Sequence, residues 1–189
     1  KTVMYRKLKL QVDFLTKHYT EVCEELGKCR SEKNRLEAMY ENLSSVVLND
    51  MVHKLLDLFT VKDEPYIVYI YNYIHKGDSY SEMEFIMKRL SSPIFEKTAY
   101  ADIEIENSRL KIVNIDACVF RCGFGGKLFD YIEQYARSND ILSIRGKIYE
   151  GTPIGLDNLI RFYKKHGCEI YKNKFGPAFK KQLNTAKES

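Results

Sequence analysis

The first 47 residues carry an apolar repeat that few folds can satisfy. Tyr5, Leu8, Val12, Leu15, Tyr19, Val22, Leu26, Cys29, Leu36, Tyr40, Leu43 and Val47 follow alternating steps of three and four. These are the a and d positions of about six heptads, and only Lys33 breaks them, at an a position. No proline occurs before Pro65. Such a stripe is too narrow for a lone helix to bury, so it needs a partner helix. A long helix lying on its own globular part is the alternative, but that arrangement usually buries a wider face. A charged residue at one a position favours a fixed register and few strands. The expectation is a parallel homodimer, with a different protein as the other possible occupant. Cys29, at d, would face its own copy, either as a small buried hydrophobe or as a site of oxidative cross-linking.

Val46 to Val61 (VVLNDMVHKLLDLFTV) is denser in apolar residues and reads as the same helix running on, with His53 as a packing or polar-face residue. Asp63-Glu64-Pro65 is a break. The chain therefore divides into a coiled-coil helix over 1–62 and a second unit over 63–189. Hydrophobic residues make up 44% of the chain, enough for a core. The formal charge of +4 is too small to require nucleic acid; the basic cluster Lys164, Lys165, Lys172, Lys174, Lys180, Lys181 is the sole support for such a partner, and solvated lysines or a bound phosphate explain it equally well. Five cysteines without a CxxC pair argue against a disulfide scaffold and a thiolate zinc site, and suit a cytoplasmic location. No apolar run is long enough for a membrane span, so no membrane partner is expected. The opening KTVMYRKLKL lacks a signal-peptide core, and a start at Lys1 suggests a fragment of a longer chain.

In the second unit, Tyr66–Ile74 (YIVYIYNYI) reads as a strand and Lys76-Gly77-Asp78 as a turn. Ser79–Leu90 reads as a helix from Met83, Ile86, Met87 and Leu90, ended by Ser91-Ser92-Pro93. Tyr100–Glu106 and Leu110–Ala117 alternate as a hairpin around Glu106-Asn107-Ser108. Gly125–Arg137 is helical, Ile141–Tyr149 a strand, and Asp157–His166 a helix closed by Gly167. Cys168–Lys172 is a strand, followed by a tail with Phe175 and Phe179. The class is α/β (α+β), a mixed sheet covered by helices.

The informative stretch is Phe120-Arg121-Cys122-Gly123-Phe124-Gly125-Gly126-Lys127-Leu128, between a strand and a helix. Glycines let successive N–H groups point into one concavity, and the helix end adds its own unpaired amides. Phosphate is the natural guest. A Walker A loop would need Ser or Thr after Lys127, where Leu128 stands. A dinucleotide fingerprint would need glycine at 128. A diphosphate loop for coenzyme A remains, beside a tight turn with no ligand.

Here the chain resembles the GNAT N-acetyltransferases. Their loop, Gln/Arg-x-x-Gly-x-Gly/Ala, is met by Gly123-Phe124-Gly125 with Leu128-Phe129 behind it, although Phe120 replaces the usual Gln or Arg. Their later Phe/Leu-Tyr-x-Lys-x-Gly-Phe pattern is met by Phe162-Tyr163-Lys164-Lys165-His166-Gly167-Cys168. The similarity spans about Tyr66 to Phe179. It implies a GNAT-like mixed splayed sheet whose strands Leu110–Ala117 and Ile141–Tyr149 diverge around acetyl-CoA. Main-chain groups of Ala117, Cys118 and Val119 would hold the pantetheine arm. Amides of Arg121, Cys122, Gly123, Phe124, Gly125 and Gly126 would hold the diphosphate.

The same resemblance implies that Tyr163 protonates the leaving thiolate, a task suited to a phenol that is neutral at pH 7; a packing tyrosine is the bland reading. Asp116 is the candidate base toward an amine substrate, with Glu104 and Glu106 as others and Glu150 as a possible pocket residue. His166 reads as a helix-end residue. Fewer strands are legible before Phe120 than this family has. Two functions follow: an acetyl-CoA-dependent N-acetyltransferase, or a non-catalytic GNAT-like module whose coiled coil does the biological work.

Overall fold

The computed structural model describes residues 2–48, 53–73, 81–92, 96–118, 122–149 and 154–183. Helix α1 spans Thr2–Val47. Strands β1 (His53–Val61), β2 (Glu64–Tyr73), β3 (Ser81–Arg89), β4 (Ala99–Glu106) and β5 (Arg109–Ala117) follow. Then come α2 (Phe124–Ser138), β6 (Ser143–Lys147), α3 (Leu156–Lys165), β7 (Glu169–Asn173) and β8 (Gly176–Gln182). All eight strands form one sheet in the order β1-β2-β3-β4-β5-β6-β8-β7. Pairing is antiparallel except between β5 and β6.

The mixed sheet flanked by helices agrees with the reading of the sequence, and four local expectations are corrected. Helix α1 does not run on to Val61: it ends at Val47, and His53–Val61 is the edge strand β1, paired with β2. Ser79–Leu90 is not a helix: Ser81–Arg89 is a strand. Met83, Phe85 and Met87 face one side, while Glu84, Ile86 and Lys88 face the other. Glu82, Glu84 and Lys88 alternate with Met83, Phe85 and Met87, and Ile86, buried on the opposite face under α1, interrupts that alternation and mimics a helical step. The tail after β7 is a further strand, β8, inserted between β6 and β7. Five strands therefore precede the glycine loop, more than were legible in the sequence. The turn expected at Lys76-Gly77-Asp78 lies outside the described residues.

The hairpin between β4 and β5 forms as expected. Asn107 and Ser108 both take positive φ, 50° and 56°, the geometry that matches a two-residue turn to strand twist.

The core has two layers. On one face, α2 contributes Phe124, Leu128, Phe129, Ile132 and Ala136 and packs, with α3, on Val68, Ile70, Phe85, Met87, Ala101 and Ile112. On the opposite face, the last turns of α1 place Met39, Leu43 and Val46 on Ile67, Tyr69, Ile86 and Leu90. Buried Asn42 fixes that end: its amide donates to Leu90 O at 2.6 Å and Ser92 O at 2.7 Å. Its Oδ1 accepts from Lys88 Nζ at 2.5 Å. Two carbonyls just past the end of β3 and a lysine within it are thus satisfied by one helical side chain.

Candidate functional site

Strands β5 and β6 stay paired only from Arg109↔Ser143 to Ile112↔Gly146. Beyond that point β6 turns toward β8, where Lys147 pairs with Ala178 and Ile148 N–H donates to Pro177 O at 2.9 Å. The last five residues of β5, Val113–Ala117, have no paired strand on that side among the described residues. This is the divergence that the resemblance implied.

A cleft of about 190 Å³ opens there, lined by Ile115, Asp116, Ala117, Gly123 to Gly126, Ile154, Leu159 and Phe162. Three elements converge on it: the end of β5, the first turn of α2 and one face of α3. Its size suits a phosphate group or a segment of an extended arm, with the remainder of a larger ligand lying outward.

Gly123 precedes α2 in the left-handed region, with φ 79° and ψ 0°, and no side chain caps the helix. The first bond of the helix is Lys127 N–H to Gly123 O at 3.0 Å. Helix geometry leaves the amides before Lys127 without an intrahelical acceptor. The side-chain acceptor that usually serves them is missing. The missing side chains also keep the cradle open. A Cβ on Gly125 would stand 3.7 Å from Ala117 Cβ and 4.0 Å from Phe162 Cε2, in the space between strand and helix. A Cβ on Gly126 would meet His166 Nε2 at 3.3 Å.

His166, at the end of α3, thus reaches across to the first turn of α2. It packs at a tilt against Phe129 and Phe162, each with ring centroids 4.8 Å away, and its Nδ1 lies 3.3 Å from Asp130. Burial lowers its pKa against the opposing pull of Asp130.

The expected site residues distribute unevenly. Asp116, Ala117, Gly123, Phe124, Gly125 and Gly126 come together at the cleft. Cys118 sits beside them, but its N–H already donates to Thr98 O at 2.9 Å. Strand alternation therefore leaves the Ala117 main-chain groups, rather than those of Cys118, directed toward the open side. Cys122 lines a neighbouring pocket of about 520 Å³ with Arg89, Glu96, Thr98 and Phe124. Val119, Phe120, Arg121 and Glu150 lie outside the described residues. Glu104 and Glu106 are at the far end of the sheet, because β4 runs opposite to β5. Glu104 there accepts from Lys111 at 2.5 Å, and Glu106 lies 3.9 Å from Arg145.

Tyr163 does not line the cleft; its neighbour Phe162 does. Tyr163 is 3% exposed and stacks on Phe179, with centroids 3.8 Å apart and an interplanar angle of 15°. Burial, with a smaller effect of Cys168, raises its pKa above that of an ordinary phenol. Leu159, Phe162 and Ile154 are lining residues that the sequence reading did not single out. The signal was available: Leu159, Phe162 and His166 share one face of α3 by their steps of three and four.

No protein-family description and no curated protein matches this chain in sequence. Its architecture is similar to several solved acetyltransferases at low identity. The PaiA N-acetyltransferase from Thermoplasma acidophilum, solved with coenzyme A, is 13% identical over 53% of this chain, with a TM-score of 0.45. This chain spans 60% of the length of that one. The ribosomal-protein-S18-alanine N-acetyltransferase from Escherichia coli is 15% identical over 56% of this chain and 68% of its own, with a TM-score of 0.40. An acetyltransferase from Bacillus cereus is 20% identical over 55% of this chain and 74% of its own, with a TM-score of 0.44.

Proposed function

We propose that this chain binds acetyl-CoA at the fork between β5 and β6 and transfers its acetyl group to an amine. The observation that carries the reading is the uncapped first turn of α2, where Gly123 to Gly126 face a cleft beside an unpaired strand. Amides from Cys122 to Gly126 would hold the diphosphate, as helix N-termini hold anions. The open edge of Ala117 would hold the pantetheine arm by added-strand hydrogen bonds.

When bound, the coenzyme supplies an acyl carbon activated toward amines. Asp116, at the cleft, would take a proton from the acceptor ammonium, directly or through water. In this reading Tyr163, which keeps its proton at neutral pH, would be the donor toward the departing sulfur. The acceptor amine would approach past Phe124, which borders both the cleft and the neighbouring pocket. Among the described residues no helix is long and apolar enough to cross a membrane.

A second reading, a GNAT-like module without catalysis, is favoured by the position of Tyr163. A phenol stacked under Phe179, one residue away from the cleft lining, is placed as a core residue. Calorimetry with acetyl-CoA and with coenzyme A tests the binding step. Micromolar binding supports the first reading and is compatible with the second, and no binding by a folded protein removes the first. Acetyl transfer to a panel of amines then separates them. A rate abolished in Tyr163→Phe with affinity retained supports catalysis through Tyr163. An unchanged rate removes Tyr163 from the chemistry, and no transfer to any amine favours the module.

A further inference from the structure

The docked face and the apolar seam of α1 are different stripes. Met39, Asn42 and Val46 hold the helix to the sheet, with Arg35 in the same line, 3.8 Å from Glu64. The a and d positions lie one residue further along the chain, which is about 100° around the helix. Of the seam, Leu43 packs on the sheet, while Leu36, Tyr40 and Val47 stay exposed beside it and Val12 to Leu26 beyond it. Val12, Leu15, Tyr19, Val22, Leu26, Leu36 and Tyr40 are each at least half exposed. Val47, at the base, is still 44% exposed. A continuous apolar line of this length is far more than a monomer leaves in water.

We infer that the occupant of this seam is a second copy of the chain, parallel and in register. Three features of the helix support a copy in that arrangement. First, each a or d residue then meets its own counterpart, so aliphatic and tyrosine layers are matched in size all along the pair. Second, register sets Glu25 at g against Arg30 at e of the partner, an opposite-charge pair made twice by symmetry. Third, the one charged layer is compensated. Lys33 lies 3.5 Å from Glu37 within its own chain, and Glu32 and Glu37 flank it at g and e. In register, Glu32 at g faces Glu37 at e of the partner, a like-charge pair, and each Lys33 has these carboxylates of both chains alongside to offset it. The pairing places both sheets at the same end of the rod and leaves both clefts facing away from it, since α1 docks on the face opposite α2. This inference does not depend on the acetyltransferase reading.

Sedimentation of the full chain under reducing conditions tests the pairing, and oxidation with diamide tests its direction. In register, Cys29 at d faces Cys29 of the partner, whereas Cys23 at e does not face its own counterpart. The expected result is a dimer that becomes covalent on oxidation, with cross-linking lost in Cys29→Ser and kept in Cys23→Ser. Leu26→Glu should weaken association at least about a hundredfold, with unchanged thermal unfolding of the sheet in near-ultraviolet dichroism. A monomer at all concentrations overturns the inference. So does a dimer that cross-links through Cys23, or through neither cysteine, because the chains would then be antiparallel or staggered.

Discussion

The ring of Phe179 occupies the place where a side chain at Gly146 would begin. A Cβ there would stand 2.5 Å from Phe179 Cε1 and 2.8 Å from the carbonyl oxygen of Ile112. Gly146 is also the last residue of β6 to pair with β5. The absence of a side chain thus lets an aromatic ring close the apex of the fork, with Tyr163 stacked beneath it. Gly146→Ala should cost about 2–3 kcal/mol, since neither a packed ring nor a backbone carbonyl can give way easily. Urea unfolding measures this; a loss below about 0.5 kcal/mol would mean that the ring moves freely.

Gly125 differs in kind. Its conformation is helical and a Cβ meets only ordinary contacts at 3.7 Å and beyond. Gly125→Val should therefore fold with stability within about 1 kcal/mol of the parent. Its branched methyls would occupy the cleft, and coenzyme A affinity should fall more than about tenfold, which is about 1.4 kcal/mol. Calorimetry beside a melting curve checks both halves, and retained affinity would place the diphosphate elsewhere.

Asn42 joins α1 to the sheet through two carbonyls and a buried ammonium. Asn42→Ala leaves all three without that partner and should cost about 2–4 kcal/mol. The loss should appear first as faster hydrogen exchange in the last turns of α1 and in Leu90–Ser92. Protection unchanged there would show that Met39, Leu43 and Val46 hold the helix unaided.

Lys88 provides a pH signature. Burial pushes its pKa down to about 8, against a weaker opposing effect of Glu96, from an ordinary value of 10.5. Between these values the unfolded chain binds a proton that the folded chain has released. Stability therefore gains a rising contribution with pH across that interval. Below about pH 8 both states are protonated and the contribution is flat. Lys88→Met should remove the rise, seen as parallel denaturation midpoints for parent and variant only below pH 8. Identical profiles up to pH 10 would mean that Lys88 stays charged in the fold.

Local signals were legible and burial on two faces was not. Asn107-Ser108 and Gly123 announce themselves because turn geometry is decided by the residues that adopt it. Met83, Ile86, Met87 and Leu90 fit helical steps as well as they fit a strand, and the choice is made by α1 and α2 covering β3 from both sides. Leu55, Leu56 and Leu58 continue the apolar density of α1, and only pairing with β2 fixes them as a strand. The glycine loop was recognisable from spacing, but the wall opposite it was not. Whether Phe162 or Tyr163 meets the cleft depends on the rotation of α3, set by its packing on Phe129 and Phe179.

The arrangement of α1 has a mechanical consequence. A rod stapled across the back of the sheet by side chains in its last four turns cannot swivel about a flexible joint there. Whatever grips the rod fixes the bearing of the cleft mouth, so two such bodies on one shaft would present their openings outward at a set angle.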